Sequence, residues 1–303
     1  MEFTPNDDQR TFLGVLDQIA AGPEAAWAVG TDWQRFQWSG ALDAILDENG
    51  FFDCAAEPDL GPVAAAEMVM RLAELPVLVE SAASALLRPR FAPDLPRPLA
   101  VVVGPAQAIR FLPVARSVIR VGTDAVEVAE LPDPAAPVDS LFAYPMGRVP
   151  ADLTWRKIAA DPAEMLDAWR VAVAAELAGA LQGGLTSVLA HVRDRRQFGR
   201  ALGSFQAVQH RLAGAAARIE GGRLMTLRAA ATGDPAEAAR ALGWLQNSAT
   251  TIAYDLHQFM GAMGLTLEHP LHRWTYRARL LRSEMSGGTA NLALAADRTW
   301  STP

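Results

Sequence analysis

Thiols are almost absent from this chain of 303 residues: Cys54 is its only cysteine. Neither a disulfide framework nor a thiolate metal cluster can be built from it, and a reducing compartment is the natural setting. Lysine is equally scarce. Lys157 is the single lysine among 27 basic residues, an arginine- and alanine-rich usage that fits the codon bias of a GC-rich bacterial genome. Against those 27 stand 34 acidic residues, a formal charge of −7, which argues against nucleic acid or an anionic membrane as the main partner but leaves local arginine clusters free to hold phosphates. No apolar run reaches the roughly 20 residues that cross a bilayer. The stretch Met1 to Asp8 is acidic and lacks the basic and apolar regions of a signal peptide. The expectation is a soluble, cytoplasmic protein. Metal is not expected either: His191, His210, His257, His269 and His272 lack the spacing of a metal-binding helix, and His269 and His272 flank a proline.

What is present is an ordinary globular composition, 50% hydrophobic and 20% charged, long enough for one large or two to three small domains. Apolar residues recur at helical spacing from Asp7 to Ile19 and again from Ala41 to Glu48, where Asn49-Gly50 stops the helix. Between them Trp27, Trp33, Phe36 and Trp38 read as core. Gly50 to Pro62 reads as a loop, and Val63 to Leu87 as two helices with Pro76 at a first turn. The prolines between Arg88 and Pro98 then change the texture. Leu99 to Val103, Val118 to Val121 and Ala125 to Leu131 are short Val/Ile-rich runs punctuated by Gly104-Pro105 and Gly122-Thr123-Asp124, hence strands. From about Ala163 to beyond Asn291 the pattern is helical, with breaks at 199–203, 232–235 and 261–270. Four long helices imply a bundle, giving expected units of 1–96 (helical), 97–150 (β) and 151–303 (helical).

The chemistry concentrates at one break. Arg195-Arg196-Gln197-Phe198-Gly199 is followed by Phe205-Gln206 and by Leu212-Ala213, between a helix pattern from Leu166 to Val192 and another for which Ser204 is the expected N-cap. Arginine offers a fork of donors suited to a diphosphate, Phe198 an apolar face, and the start of a helix favours anionic oxygen. Downstream, Gln258-Phe259-Met260-Gly261-Ala262-Met263-Gly264 carries glycines at a spacing that lets a backbone approach a ligand, and Glu268-His269-Pro270-Leu271-His272-Arg273 follows.

In order and spacing, these segments resemble the signature of the acyl-CoA dehydrogenase family: R-x-x-F-G, then f-Q-x-x-x-x-x-L-A, then Q-x-x-G-G-x-G with Ala262 at a usual glycine, then e-x-P-l-x-r. Gly61, Glu67 and Leu72 to Glu74 resemble the family's N-terminal helical pattern. The resemblance implies a mainly α fold, acyl-CoA dehydrogenase-like, with an N-terminal helical domain, a reduced middle β-domain and a C-terminal four-helix bundle. It implies FAD contacts by Arg195, Phe198, Phe205, Gln206, Gln258, Gly261, Ala262, Thr289 and Asn291, and it puts Asp167 and Arg170 on positions lining an acyl-CoA cleft. Two departures matter. The family's C-x-T-E-P-x-x-G-S-D loop, which holds the flavin ring, has no counterpart; Ala55-Ala56-Glu57-Pro58 is a look-alike without the following Gly-Ser-Asp. Both positions at which the family carries its catalytic glutamate are changed, to Trp169 and to Gly287 within Ser286-Gly287-Gly288-Thr289. Neither can abstract an α-proton, and Glu176 and Glu284, nearby in sequence, read as ordinary helix-surface or buried paired glutamates rather than relocated bases. The resemblance then implies a base-lacking subunit of an FAD-dependent acyl-CoA dehydrogenase, paired with a full-length homologue in an α2β2 assembly like those of actinobacterial steroid catabolism. The alternatives are a stand-alone flavoenzyme of other chemistry, oxidase or hydroxylase, and a non-catalytic scaffold.

Overall fold

The computed structural model describes residues 5–27, 35–105 and 108–300; Trp33 lies outside them. Its helices are α1 (Asp7–Ala20), α2 (Gly40–Glu48), α3 (Gly61–Ala73), α4 (Ala82–Leu86), α5 (Arg88–Phe91), α6 (Pro162–Asp194), α7 (Gln206–Thr232), α8 (Pro235–Met260), α9 (Leu271–Leu281) and α10 (Gly287–Trp300). The strands are β1 (Leu99–Val103), β2 (Ile109–Arg110), β3 (Ser117–Val121), β4 (Val126–Glu130), β5 (Pro137–Val138), β6 (Met146–Gly147), β7 (Arg156–Ile158), β8 (Arg196–Gln197) and β9 (Arg200–Ala201). The expected mainly helical architecture is what forms.

Local signals explain most boundaries. Asn6 caps α1 in a capping box with Gln9, and Asp161 and Asp234 cap α6 and α8 ahead of prolines in the first turn. Two expectations need correction. Phe51–Ala56 is not an open loop but a 3-10 turn that buries Phe51, Phe52 and Cys54, because three apolar side chains there face the core. Pro76 opens no helix; it lies in the connection between α3 and α4, whose carbonyls are taken up by Arg277. Burial pushes the Cys54 thiol up to about 12, so it is an inert core group.

The middle region holds a four-stranded sheet in the order β1-β3-β4-β7 and a three-stranded one, β2-β6-β5. β1 runs parallel to β3, with Leu99 opposite Ser117, and β3 turns back on β4. In the bundle α8 packs on α6, α7 and α10. The expectation that no apolar stretch reaches membrane-spanning length is also corrected for α6, which by length and composition could cross a membrane, although 83% of its most apolar window is buried inside the protein. Its glycines set the packing distance: a Cβ on Gly179 would overlap the Met70 carbonyl of α3, and one on Gly183 would meet the indole of Trp274 on α9. One continuous apolar core runs from the N-terminal helices through the sheet into the bundle.

Candidate functional site

Antiparallel α7 and α8 bring the start of one beside the end of the other, and α6 stops at the same place. Arg195, Phe198, Phe205, Gln206, Gln258, Gly261 and Ala262 therefore meet at one end of the bundle. The corner itself is a tight hairpin, β8–β9, with Arg196 opposite Ala201 and Gln197 opposite Arg200. Its two turn residues are left-handed, Phe198 at φ 53° and Gly199 at φ 80°, as a two-residue hairpin turn twisted to match its strands requires. For a bulky side chain that conformation is unfavourable. It holds Phe198 87% exposed, edge-on to Phe205 at 6.1 Å between ring centroids. Arg200 stacks on the Phe205 ring at 3.9 Å.

The expected cap of α7 is displaced by one residue. Ser204 donates its hydroxyl to the Ala201 carbonyl at 2.7 Å, Phe205 takes the N-cap position, and no side chain caps the helix. The first-turn amides thus stay free of side-chain acceptors. Arg193, Arg195 and Arg196 are exposed and make no ion pair among the described residues. His191 is held below its ordinary pKa by partial burial and by the neighbouring Arg195. Arg211 ties α7 to α8 through an ion pair with Asp255 and lies over Tyr254 and Phe259 at 5.6 and 5.0 Å. Gly261, at φ 65°, ends α8 and leads into a turn whose Met263 and Leu265 are exposed. This end of the molecule offers donors, apolar rings and an uncapped helix, all facing outward.

Thr289 and Asn291 do not join it. Gly288 packs against Asn247, which is fourteen residues before Gly261 and so roughly 20 Å away along α8. Thr289 is exposed there. Asn291, by contrast, is a buried clamp: it accepts from Arg170 Nε at 3.1 Å and donates to Gln246, Met285 O and Gly287 O, each at 3.0 Å. Its polar atoms are spent within the chain. Gln246 donates in turn to Leu281 O and Glu284 O, both at 2.9 Å. Between these amides lies a run of three left-handed residues, Met285, Ser286 and Gly287, at φ 53°, 69° and 79°.

The interior beside Trp169, one of the two altered base positions, is filled. Arg110 of β2 is buried and lies 5.0 Å from the Trp169 ring. Its Nη1 is 2.8 Å from Glu176 Oε2 and its Nε is 2.7 Å from Glu284 Oε1, three residues before Gly287. Tyr144 donates to Glu176 at 2.8 Å. Burial raises the Glu176 carboxyl above its ordinary pKa despite the opposing pull of Arg110, and burial likewise raises the Tyr144 phenol. Arg277, lowered to about 10 by desolvation, donates to carbonyls of the α3–α4 connection. The reading of Glu176 and Glu284 as paired residues agrees with these contacts, but sequence reasoning missed their shared partner. A signal existed: Arg110 is the one charged residue between Val101 and Ala115.

Asp167 holds Arg170 at 2.6 Å and Arg298 at 2.7 Å. With Glu164, Ala168 and Val171 it lines an apolar cavity of about 620 Å³ bounded also by Leu86 and Ala230. On a helix, 168 and 171 face away from 169 and 176, so this cavity lies across α6 from the Arg110 cluster. Arg170 is not among its lining residues.

Residues 161–295 match the acyl-CoA dehydrogenase C-terminal domain model. Over that stretch the chain is similar to the C-terminal domain of acyl-CoA dehydrogenases. It is 33% identical over 134 residues to the short-chain specific acyl-CoA dehydrogenase of bovine mitochondria, 43% of this chain and 32% of that enzyme. The chain thus matches about a third of the length of its curated relatives. The fold extends further than the sequence match. A chain of the ChsE4-ChsE5 complex from Mycobacterium tuberculosis superposes with TM-score 0.79 at 21% identity, covering 100% of both chains. A chain of the Tcur3481-Tcur3483 steroid acyl-CoA dehydrogenase gives 0.80 at 21%, covering 98% of this chain and 99% of that one. The whole chain has the acyl-CoA dehydrogenase fold.

Proposed function

We propose that this chain is the base-lacking subunit of a two-component, FAD-dependent acyl-CoA dehydrogenase that desaturates an acyl-CoA thioester of steroid-derived type in the cytoplasm. The observation that carries the reading is the Arg110 cluster. The interior beside Trp169 is packed with Tyr144 and a buried ion triad whose Glu284 lies three residues before Gly287, while the arginine and glycine segments at the bundle end stay open. A full-length homologue, in an α2β2 assembly, supplies the carboxylate and the flavin-ring loop. The two heteromeric complexes sharing this fold support such a partner.

The residues fit half of the cofactor. Unpaired Arg195, the uncapped start of α7, and the exposed Gln206 and Gln258 suit the diphosphate and adenosine portion of FAD, with Phe198 and Phe205 as apolar walls. Nothing here suits the ring. FAD, when bound, accepts the hydride leaving the β-carbon. This chain's part is to hold the diphosphate at Arg195, to shield it with Phe198, and to leave the α-proton to a carboxylate of the partner, because Trp169 and Gly287 cannot take it.

Purification alone and with the co-expressed homologue tests this. FAD should stay with the complex and not with the isolated chain; a yellow, FAD-loaded protein from expression alone would overturn the reading. Arg195→Ala should lower FAD occupancy of the complex by about 2 kcal/mol, the value of one charge-assisted hydrogen bond.

A further inference from the structure

Many of the bundle's arginines have their charge or donors taken up within the chain. Arg170 and Arg298 pair with Asp167, Arg211 with Asp255, Arg223 with Glu67 and Glu220, and Arg228 and Arg240 with Glu237. Arg218, Arg273 and Arg277 donate to backbone carbonyls. Away from the Arg193–Arg200 corner, Arg279 and Arg282 stand in a groove between α8 and α9 of about 370 Å³ with no carboxylate among its lining residues.

The groove is floored by Ala249, Ala253 and Ala278 and walled by Tyr254 and Tyr276. Small residues keep the floor low without side chains that could collapse into it. Arg282 donates to the Thr250 hydroxyl, which fixes its guanidinium at the rim; Arg279 has no ion pair or hydrogen bond among the described residues, and neither phenol has a hydrogen-bond partner there. Tyr254 is 63% exposed, and Tyr276 packs edge-on against His272 at 6.3 Å. His257, pressed below its ordinary pKa by burial, is engaged with the Thr275 hydroxyl at 3.0 Å.

Two guanidiniums three residues apart repel each other. The C-terminal dipole of α9 eases that repulsion without neutralising either charge. The free groups facing the groove are hydrogen-bond donors, and a chain of net charge −7 has placed two positive charges there without a counterion. A phosphate group matches this inventory: it brings negative charge and only acceptors, and the guanidinium fork suits its geometry.

We propose that the α8–α9 groove is a binding site for a phosphate-bearing small molecule, with Arg279 and Arg282 as its anchors; it adjoins the Arg195 end of the bundle at Tyr254 but does not use Arg195. Titration of the purified chain with pyrophosphate at low salt, followed by calorimetry and ³¹P NMR, tests it. Binding should persist in Arg195→Ala and should weaken by roughly tenfold for each arginine removed in Arg279→Gln/Arg282→Gln, with the melting temperature unchanged. If the double variant does not fold, Arg279→Gln alone, at an exposed position without a partner, serves the same purpose. Pyrophosphate binding that vanishes in Arg195→Ala, or that the groove variants leave intact, overturns the site. So does a loss confined to association with the homologue, which would make the groove a contact for an acidic protein segment. The Proposed function fails separately, when Arg195→Ala leaves FAD occupancy of the complex unchanged.

Discussion

Replacing Arg110 by Met asks whether the buried cluster is the closure inferred for it. Removing one member of a buried ion network costs about 3–5 kcal/mol, mostly because an uncompensated charge stays behind. Here that charge is Glu176, buried and left with the Tyr144 hydroxyl; Glu284, whose side chain is 20% exposed, can turn to water. For 303 residues the unfolding entropy is about 0.6 kcal/mol per kelvin, so a loss of about 4 kcal/mol lowers Tm by about 6 °C. The pH dependence fixes the cause. Burial already raises the Glu176 carboxyl, so the folded chain holds that proton more tightly than the unfolded chain, and stability from this group grows as pH falls through the raised value and is lost as pH rises. Without Arg110 the shift becomes larger. The penalty of Arg110→Met should be largest near pH 8 and shrink on acidification, and Arg110→Met/Glu176→Gln should recover most of it. Urea and thermal denaturation at pH 8 and pH 5.5 measure both. Wild-type stability of Arg110→Met at pH 8, or a penalty that deepens at pH 5.5, would refute the reasoning.

Burial raises Glu74 to about 7; its stabilising protonation is complete below the ordinary carboxylate range and lost as pH rises through 7, so Glu74→Gln should stabilise the chain by about 1–2 kcal/mol at pH 8 and hardly at all at pH 5, as paired denaturation curves would register. Gly179→Val forces a side chain into the Met70 carbonyl where α3 crosses α6, an overpacking against backbone that should cost at least about 3 kcal/mol or prevent soluble expression, whereas a variant as stable as wild type would show that the two helices separate easily.

The sequence made the helical elements legible because their caps and periodicity are local. Asn6, Asp161 and Asp234 announce their helices, and β1, β3 and β4 stand out as branched apolar runs between turns. What it hid depends on contacts between distant residues. Ser204 looks like a cap, yet its hydroxyl serves the turn it closes and Phe205 takes the position. Asn291 lies two residues after the exposed Thr289, but burial against Gln246 and Arg170 makes it a clamp. Arg110 meets Glu176 and Glu284 across 66 and 174 residues, a separation that no spacing rule reaches. Motif order located the bundle end; the closed interior required the fold.

The left-handed run before α10 bears on whether this chain is only a scaffold. Met285 and Ser286 at φ 53° and 69° cost of order 1–3 kcal/mol each, and such strain persists only where surrounding contacts over-determine it. Those contacts are two buried amides, Gln246 and Asn291, whose own burial is stabilising only while every donor finds a carbonyl. Turn and clamp therefore maintain each other, and relaxing the turn would orphan the amides. What the arrangement fixes is the direction of the Gly287–Thr289 backbone, at the place where a base is missing and Thr289 is exposed. A protein that needed only a stable bundle gains nothing from a strained entry to its last helix. A subunit that must present this backbone to a second chain does gain, since a preformed edge spares the ordering cost at binding. The strain thus supports the two-component reading independently of the arginines at the other end of α8.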